Sequence, residues 1–148
     1  MRLELPDVDA TEALGSALAR TQPTPAIVYL HGDLGAGKST LARAWLRALG
    51  VTGAIRSPTY TLVEHYPLRG AGRALHLDLY RIAGAGELEF LALDDAGADL
   101  WLVEWPERGA GTAIFRAPLG IRSRRRNWRV RAVRTYRCVD AGHDASQP

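Results

Sequence analysis

Residues Gly32 to Ser39 read Gly-Asp-Leu-Gly-Ala-Gly-Lys-Ser, a full fit to the phosphate-binding spacing G-x-x-x-x-G-K-S/T. A polyphosphate brings several negative charges into a small volume, to be met without a bulky side chain in the way. Glycines at 32, 35 and 37 allow the tight turn that lets backbone N–H groups point at phosphate oxygens. Lys38 supplies a mobile positive charge for the β- and γ-phosphates, and the Ser39 hydroxyl is a ligand for Mg²⁺. The pattern predicts nucleotide contacts from Asp33, Leu34, Gly35, Ala36, Gly37, Lys38, Ser39 and Thr40.

Holding a nucleotide is not hydrolysing it; hydrolysis also needs a positioned metal and an oriented water. Two acids are candidates. Asp78 ends an apolar alternating run, as a metal- or water-directing acid on a strand should. Glu104 lies inside Leu102-Val103-Glu104-Trp105, where a carboxylate is costly to bury unless a cation or a donor meets it. Mg²⁺ would serve, because it takes oxygen ligands and keeps several waters. Ser57-Pro58-Thr59-Tyr60-Thr61 falls where a segment sensing the γ-phosphate often lies. Thr59 and Thr61 carry hydroxyls able to reach metal or water, although by pattern alone the stretch is a turn before a strand. Arg81 either helps neutralise phosphate or makes a surface ion pair. The four histidines have no metal-ligand spacing, and His76 reads as a strand-face residue. The four tryptophans read as core or interface residues.

These groups need elements to hold them. Ala26 to Leu30, bounded by Pro23 and Pro25, is a short apolar run and predicts a buried strand. Leu41, Trp45, Leu46 and Leu49 fit one face of a helix over Ser39 to Leu49, with Gly50 as its stop. Strand, glycine loop, helix is the order that places a helix N-terminus under phosphates. Upstream, Asp9 or Thr11 can cap a first helix running through Arg20, its apolar face made of Ala13, Leu14, Ala17 and Leu18. Gln22 to Pro25 reads as a turn. Tyr60 to Tyr66 and Ala74 to Tyr80 predict two strands joined as a hairpin. A short helix is expected over Glu87 to Leu93, a buried strand over Leu100 to Trp105, and a last hairpin over Ile121 to Ser123 and Trp128 to Val133. The sum is an α/β fold, one P-loop domain with a mixed sheet flanked by helices and a C-terminal hairpin. In open sheets of this kind ligands bind at the carboxyl ends of the strands, where Asp78, Glu104 and Ser39 would converge.

The 148 residues suit one domain, expected over 1–140, with a polar, disordered tail over 141–148. One cysteine, Cys138, excludes a disulfide framework and a cysteine-based zinc site. No window approaches the roughly 18 uninterrupted apolar residues of a membrane span, so the expectation is a soluble, cytoplasmic protein. The net charge of +3 hides an asymmetry. Residues 1–111 hold ten Lys and Arg against fourteen Asp and Glu; residues 112–148 hold nine Arg against two Asp. The arginines at 124, 125, 126, 129, 131, 134 and 137 could contact RNA phosphates, or form a solvated hairpin face.

Four motifs in order, Gly32-Asp-Leu-Gly-Ala-Gly-Lys-Ser-Thr40, Ser57-Pro-Thr-Tyr-Thr-Leu-Val-Glu64, His76-Leu-Asp-Leu-Tyr-Arg81 and Glu104-Trp-Pro-Glu-Arg108, resemble those of the bacterial TsaE (YjeE) family. The first is generic; the second and fourth are far more specific. The likeness covers about residues 5–111, and the arginine-rich stretch after Gly111 departs from the family pattern. The resemblance implies a small ATPase needed to make threonylcarbamoyladenosine next to the anticodon of tRNA. Such a protein engages the TsaD–TsaB complex, and its ATP cycle resets that complex without transferring the group itself. It implies ATP and Mg²⁺ as cofactors, Ser39 and Glu104 on Mg²⁺, Lys38 on the phosphates, and Asp78 required for hydrolysis. Thr59 would belong to a switch-like segment, and Thr11 would lie near the adenine. Preference for ATP over GTP comes from the resemblance alone, as no Asn-Lys-x-Asp motif is present. Two rival functions are a small-molecule kinase on the same loop and an RNA-binding module using the arginine-rich stretch.

Overall fold

The computed structural model describes residues 2–21, 25–84, 86–89, 91, 93, 97–109, 119–124 and 127–130. Most of the turn expected over Gln22 to Pro25, the tail at 141–148, Cys138 and most of the arginine cluster lie outside them. Among these residues seven strands form one mixed sheet: β1 (Arg2–Glu4), β2 (Ala26–His31), β3 (Val63–Pro67), β4 (Arg73–Asp78), β5 (Leu100–Glu104), β6 (Leu119–Arg124) and β7 (Asn127–Val130). Their spatial order is β1-β7-β6-β2-β5-β4-β3. The inner four, β6, β2, β5 and β4, run parallel. The outer three are antiparallel, β3 on β4, β7 on β6 and β1 on β7. The α-helices among the described residues are α1 (Val8–Thr21), α2 (Lys38–Ala48) and the single turn α3 (Gly86–Glu89).

Strands covered on both faces should read as continuous apolar runs; β2 and β5 do up to their last residues, whereas β4 alternates and buries His76 and Asp78 on one face. One face carries Val28, Leu30, Ala74, Leu100 and Leu102 and packs on Leu41, Ala42, Trp45 and Leu46 of α2. The other gathers Tyr29, Leu75, Leu77 and Val103 with Leu79, Ile82 and Leu88. Helix α2 ends as its sequence predicts. Gly50 takes φ 91°, its N–H donates to Arg47 O, and Val51 N–H donates to Leu46 O. These crossed bonds satisfy the last carbonyls in the arrangement that a glycine just past the helix allows.

Several expected boundaries move. The cap of α1 is Asp7, neither Asp9 nor Thr11: its Oδ1 accepts the Ala10 N–H at 2.8 Å, the N-cap bond to a free donor of the first turn. The strand expected from Tyr60 starts at Val63. Pro58 to Leu62 is a turn, closed by Leu62 N–H on Pro58 O at 2.7 Å with Leu62 at φ 64°. The hairpin with β4 forms as expected. The C-terminal hairpin also forms, between β6 and β7, and β6 lies beside β2. Strand β1 has no counterpart in the sequence reading.

Helices α1 and α2 pack closely at Gly15. A Cβ there would meet Leu41 O at 2.7 Å and Ala44 Cβ at 2.9 Å, both fixed parts of α2. Gly15→Ala should therefore destabilise the chain, although alanine favours an isolated helix by about 1 kcal/mol. Overpacking costs about 1–3 kcal/mol and should win; a urea midpoint equal to or above that of the native chain would contradict this close approach. Among the described residues no helix is long and apolar enough to cross a membrane.

Candidate functional site

Register brings the predicted residues together. Across the parallel strands Leu30 pairs with Glu104 and Glu104 with Asp78. The end of the loop-bearing strand and the two acids thus form one row at the carboxyl edge of the sheet. From Leu30 the chain passes through His31 into the glycine loop and then into α2. Gly35 takes φ 76° and Gly37 takes φ 92°, conformations a side chain resists. Gly37 occupies the N-cap of α2 with no side-chain cap hydrogen bond, which leaves the first N–H groups of α2 for an anion.

A cleft of about 220 Å³ opens over this edge. One wall is the loop and first turn of α2, Leu34 to Thr40. The other is Thr59, Asp78, Tyr80, Glu104 and Trp105. Glu104 is only 2% exposed, and both its oxygens are used: Oε2 accepts from Ser39 Oγ at 3.0 Å, and Oε1 lies 2.8 Å from His76 Nε2. Asp78 is equally occupied, by Thr59 Oγ1 at 2.9 Å on Oδ2 and by the Tyr80 N–H at 3.0 Å on Oδ1. Thr59 spends its proton on that carboxylate, so at 2.9 Å it accepts from Ser57 Oγ. The segment before β3 is thereby tied to the end of β4.

Lys38 is buried. Its Nζ donates to Gly32 O at 2.7 Å and Asp33 O at 2.9 Å and lies 4.0 Å from the centre of the Trp105 ring. Burial pushes its pKa below the usual lysine value, against an opposing pull from Glu104, Asp78, Glu107 and Asp33. Trp105 reaches that position through φ 56°, a left-handed conformation that costs a bulky residue about 1–3 kcal/mol and occurs mostly at functional sites. The Tyr80 ring packs on it at 5.0 Å.

Four predicted groups, Thr11, Asp33, Thr61 and Arg81, do not line the cleft. The Thr11 hydroxyl donates to O of Asp7, the cap of α1, at 3.0 Å. The Thr61 hydroxyl donates to Glu64 at 2.8 Å, and Arg81 stacks on Tyr60 at 4.6 Å. Asp33 contributes through its carbonyl to Lys38. Sequence reasoning missed His76 and Trp105 as parts of the site. His76 has 0% exposure and touches Glu104; its position two residues before Asp78 was the available signal. Among the described residues no three His, Cys, Asp or Glu side chains cluster as a metal site. The hydroxyl and carboxylate at 3.0 Å suit a hard cation that takes its remaining ligands from water and phosphate.

A family model described as threonylcarbamoyl adenosine biosynthesis protein TsaE matches residues 5–133. The chain belongs to the TsaE family. The match runs past Gly111 and through much of the arginine-rich stretch, farther than the four motifs reach. Relatives named tRNA threonylcarbamoyladenosine biosynthesis protein TsaE include one from Haemophilus influenzae, 49% identical over 57% of this chain and 54% of that protein. Another, from Synechocystis, is 45% identical over 73% of this chain and 71% of that protein. The aligned part thus spans about half the length of the Haemophilus TsaE. The crystal structure of Bacillus subtilis YdiB superposes with a TM-score of 0.62 at 25% identity, covering 86% of this chain and 80% of that one. The P-loop α/β architecture is thus shared with a solved structure.

Proposed function

We propose that this chain is a Mg²⁺-dependent ATPase that serves the formation of threonylcarbamoyladenosine in tRNA. The observation that carries the proposal is the row Leu30, Glu104, Asp78 at the edge of the sheet, with Ser39 and Lys38 facing it across one cleft. Backbone N–H groups of the glycine loop and of the first turn of α2 would hold the phosphates, and Lys38 would exchange its two carbonyl partners for phosphate oxygens. Ser39 and Glu104 would hold Mg²⁺, which when bound supplies positive charge to the β- and γ-phosphates. Asp78, with Thr59 fixed on it, stands one strand farther from the loop, where a water attacking the γ-phosphate needs orientation. Since Thr59 is held by Asp78, hydrolysis at the phosphates has a direct line to the Ser57–Thr61 segment and so to whatever docks there. The family suggests the TsaD–TsaB complex as that partner, tRNA as the final substrate, and the cytoplasm as the place.

The test is Mg-ATP hydrolysis by the chain alone, with TsaD–TsaB, and with TsaD–TsaB plus tRNA. Slow turnover alone and stimulation by the complex are expected. No hydrolysis in any mixture, or transfer of phosphate to a metabolite regardless of TsaD–TsaB, would refute the proposal. Glu104→Ala should weaken nucleotide binding in Mg²⁺ by about tenfold or more, the scale on which metal-site substitutions act, and leave Mg²⁺-free binding nearly unchanged. Equal losses under both conditions would remove Glu104 from the metal site.

A further inference from the structure

We infer that His76 is the positioning residue of the metal-binding carboxylate: it clamps one oxygen of Glu104 so that the other faces Ser39 and the cleft. The inference rests on Glu104 binding Mg²⁺ as proposed above. His76 is the residue of β4 opposite Leu102 and two before Asp78, on the face covered by α2. It is completely buried, and its chain neighbours Leu75 and Leu77 are buried as well. Packing alone would be served by leucine or phenylalanine here. An imidazole in such surroundings costs free energy unless it is matched, and only one side of it is. Nε2 lies 2.8 Å from Glu104 Oε1, while Nδ1 has no partner among the described residues.

That half-matched state fixes where the ring proton sits. A neutral imidazole carries one N–H and one bare nitrogen. A proton on Nδ1 would leave a buried N–H unpaired and set two lone pairs, Nε2 and the carboxylate, against each other. A proton on Nε2 gives Glu104 a donor and leaves only an acceptor unmatched. His76 therefore donates from Nε2 to Oε1, and Ser39 donates to Oε2. A glutamate has three side-chain torsions, and held by Ser39 alone it would lose its aim whenever that hydroxyl turned to a metal. The histidine bond is on the opposite oxygen and remains when the Ser39 bond is given up. Such outer partners of metal ligands set ligand orientation, and their loss costs about 10–100-fold in metal affinity.

The experiment is calorimetric binding of ADP to the full chain at a series of Mg²⁺ concentrations, for the native chain, His76→Leu, His76→Gln and His76→Asn. A glutamine amide reaches about as far as Nε2, whereas an asparagine amide reaches only about as far as Nδ1. The Mg²⁺ half-saturation concentration should rise about tenfold or more in His76→Leu and His76→Asn and recover substantially in His76→Gln, with ADP affinity in the absence of Mg²⁺ unchanged in all. If His76→Leu fails to fold, the comparison of glutamine with asparagine decides. A native chain whose ADP binding ignores Mg²⁺ would overturn the Glu104 reading itself. A Mg²⁺-dependent native chain with unshifted His76 variants would overturn this inference alone. Equal loss of Mg²⁺-free affinity in every variant would also overturn it, by making His76 a packing residue.

Discussion

Lys38→Ala should lower Mg-ATP turnover by about 10²–10³-fold or more, the cost of deleting one preorganised donor at the site of developing charge. Lys38 is the cation whose head group is directed by two loop carbonyls, Gly32 O and Asp33 O, and by the face of Trp105. It is held partly desolvated, which lowers its pKa and strengthens its attraction for phosphate. The same burial makes the substitution easy on the fold. Alanine removes a buried charge and leaves the carbonyls of half-buried Gly32 and exposed Asp33 for water to meet. Thermal stability should hold or rise slightly while turnover collapses, and steady-state phosphate release measured beside a melting curve separates the two. Turnover within tenfold of the native chain would exclude Lys38 from the phosphate site.

Asp78→Asn should cut turnover about 10²-fold, on the scale of losing a residue that orients a reacting group, with nucleotide affinity kept within a few-fold. The carboxylate accepts two hydrogen bonds, one on each oxygen. An asparagine has one oxygen and must give it to the Tyr80 N–H, because an NH₂ group facing that donor would repel it. Its NH₂ then faces Thr59, whose hydroxyl has to turn round and accept. The negative charge disappears and the Ser57–Thr59–Asp78 chain reverses at its last link, while the glycine loop is untouched. Single-turnover hydrolysis alongside calorimetric binding tells the two effects apart. Normal turnover in this variant would refute the assignment of Asp78.

Much of this site was legible because its parts announce themselves by type. Only glycine suits the left-handed turns at 35 and 37, and a carboxylate at the end of an apolar run stands out in both β4 and β5. That Asp78 and Glu104 share a register row is a property of strand pairing, which no local pattern contains. His76 was hidden for the same reason. In Ala74-Leu-His-Leu-Asp78 a polar residue every second position looks like a half-exposed strand, and only the presence of α2 and β5 turns that face into interior. Trp105 packs against the core as its type predicts, but its place at the cleft depends on a positive φ, which is strained at tryptophan and has no sequence signature. Tyr60 to Leu62 have strand-like side chains, yet the turn closed by Leu62 on Pro58 overrides them and β3 begins only at Val63. Strand β1 escaped because its three residues are stabilised by a partner, β7, from the far end of the described chain.

The place of β6 in the sheet bears on how the protein is made. Val28 in the loop-bearing strand pairs with Leu119, so during synthesis β2 has a neighbour on one side only until the last hairpin leaves the ribosome. Every residue lining the cleft lies before that hairpin. The cleft can therefore assemble on a nascent chain whose sheet still has an open edge, and an open edge invites pairing with other chains. Changes in the hairpin should register first as yield and aggregation during expression, and changes in the row Leu30, Glu104, Asp78 as altered chemistry in a protein that accumulates normally.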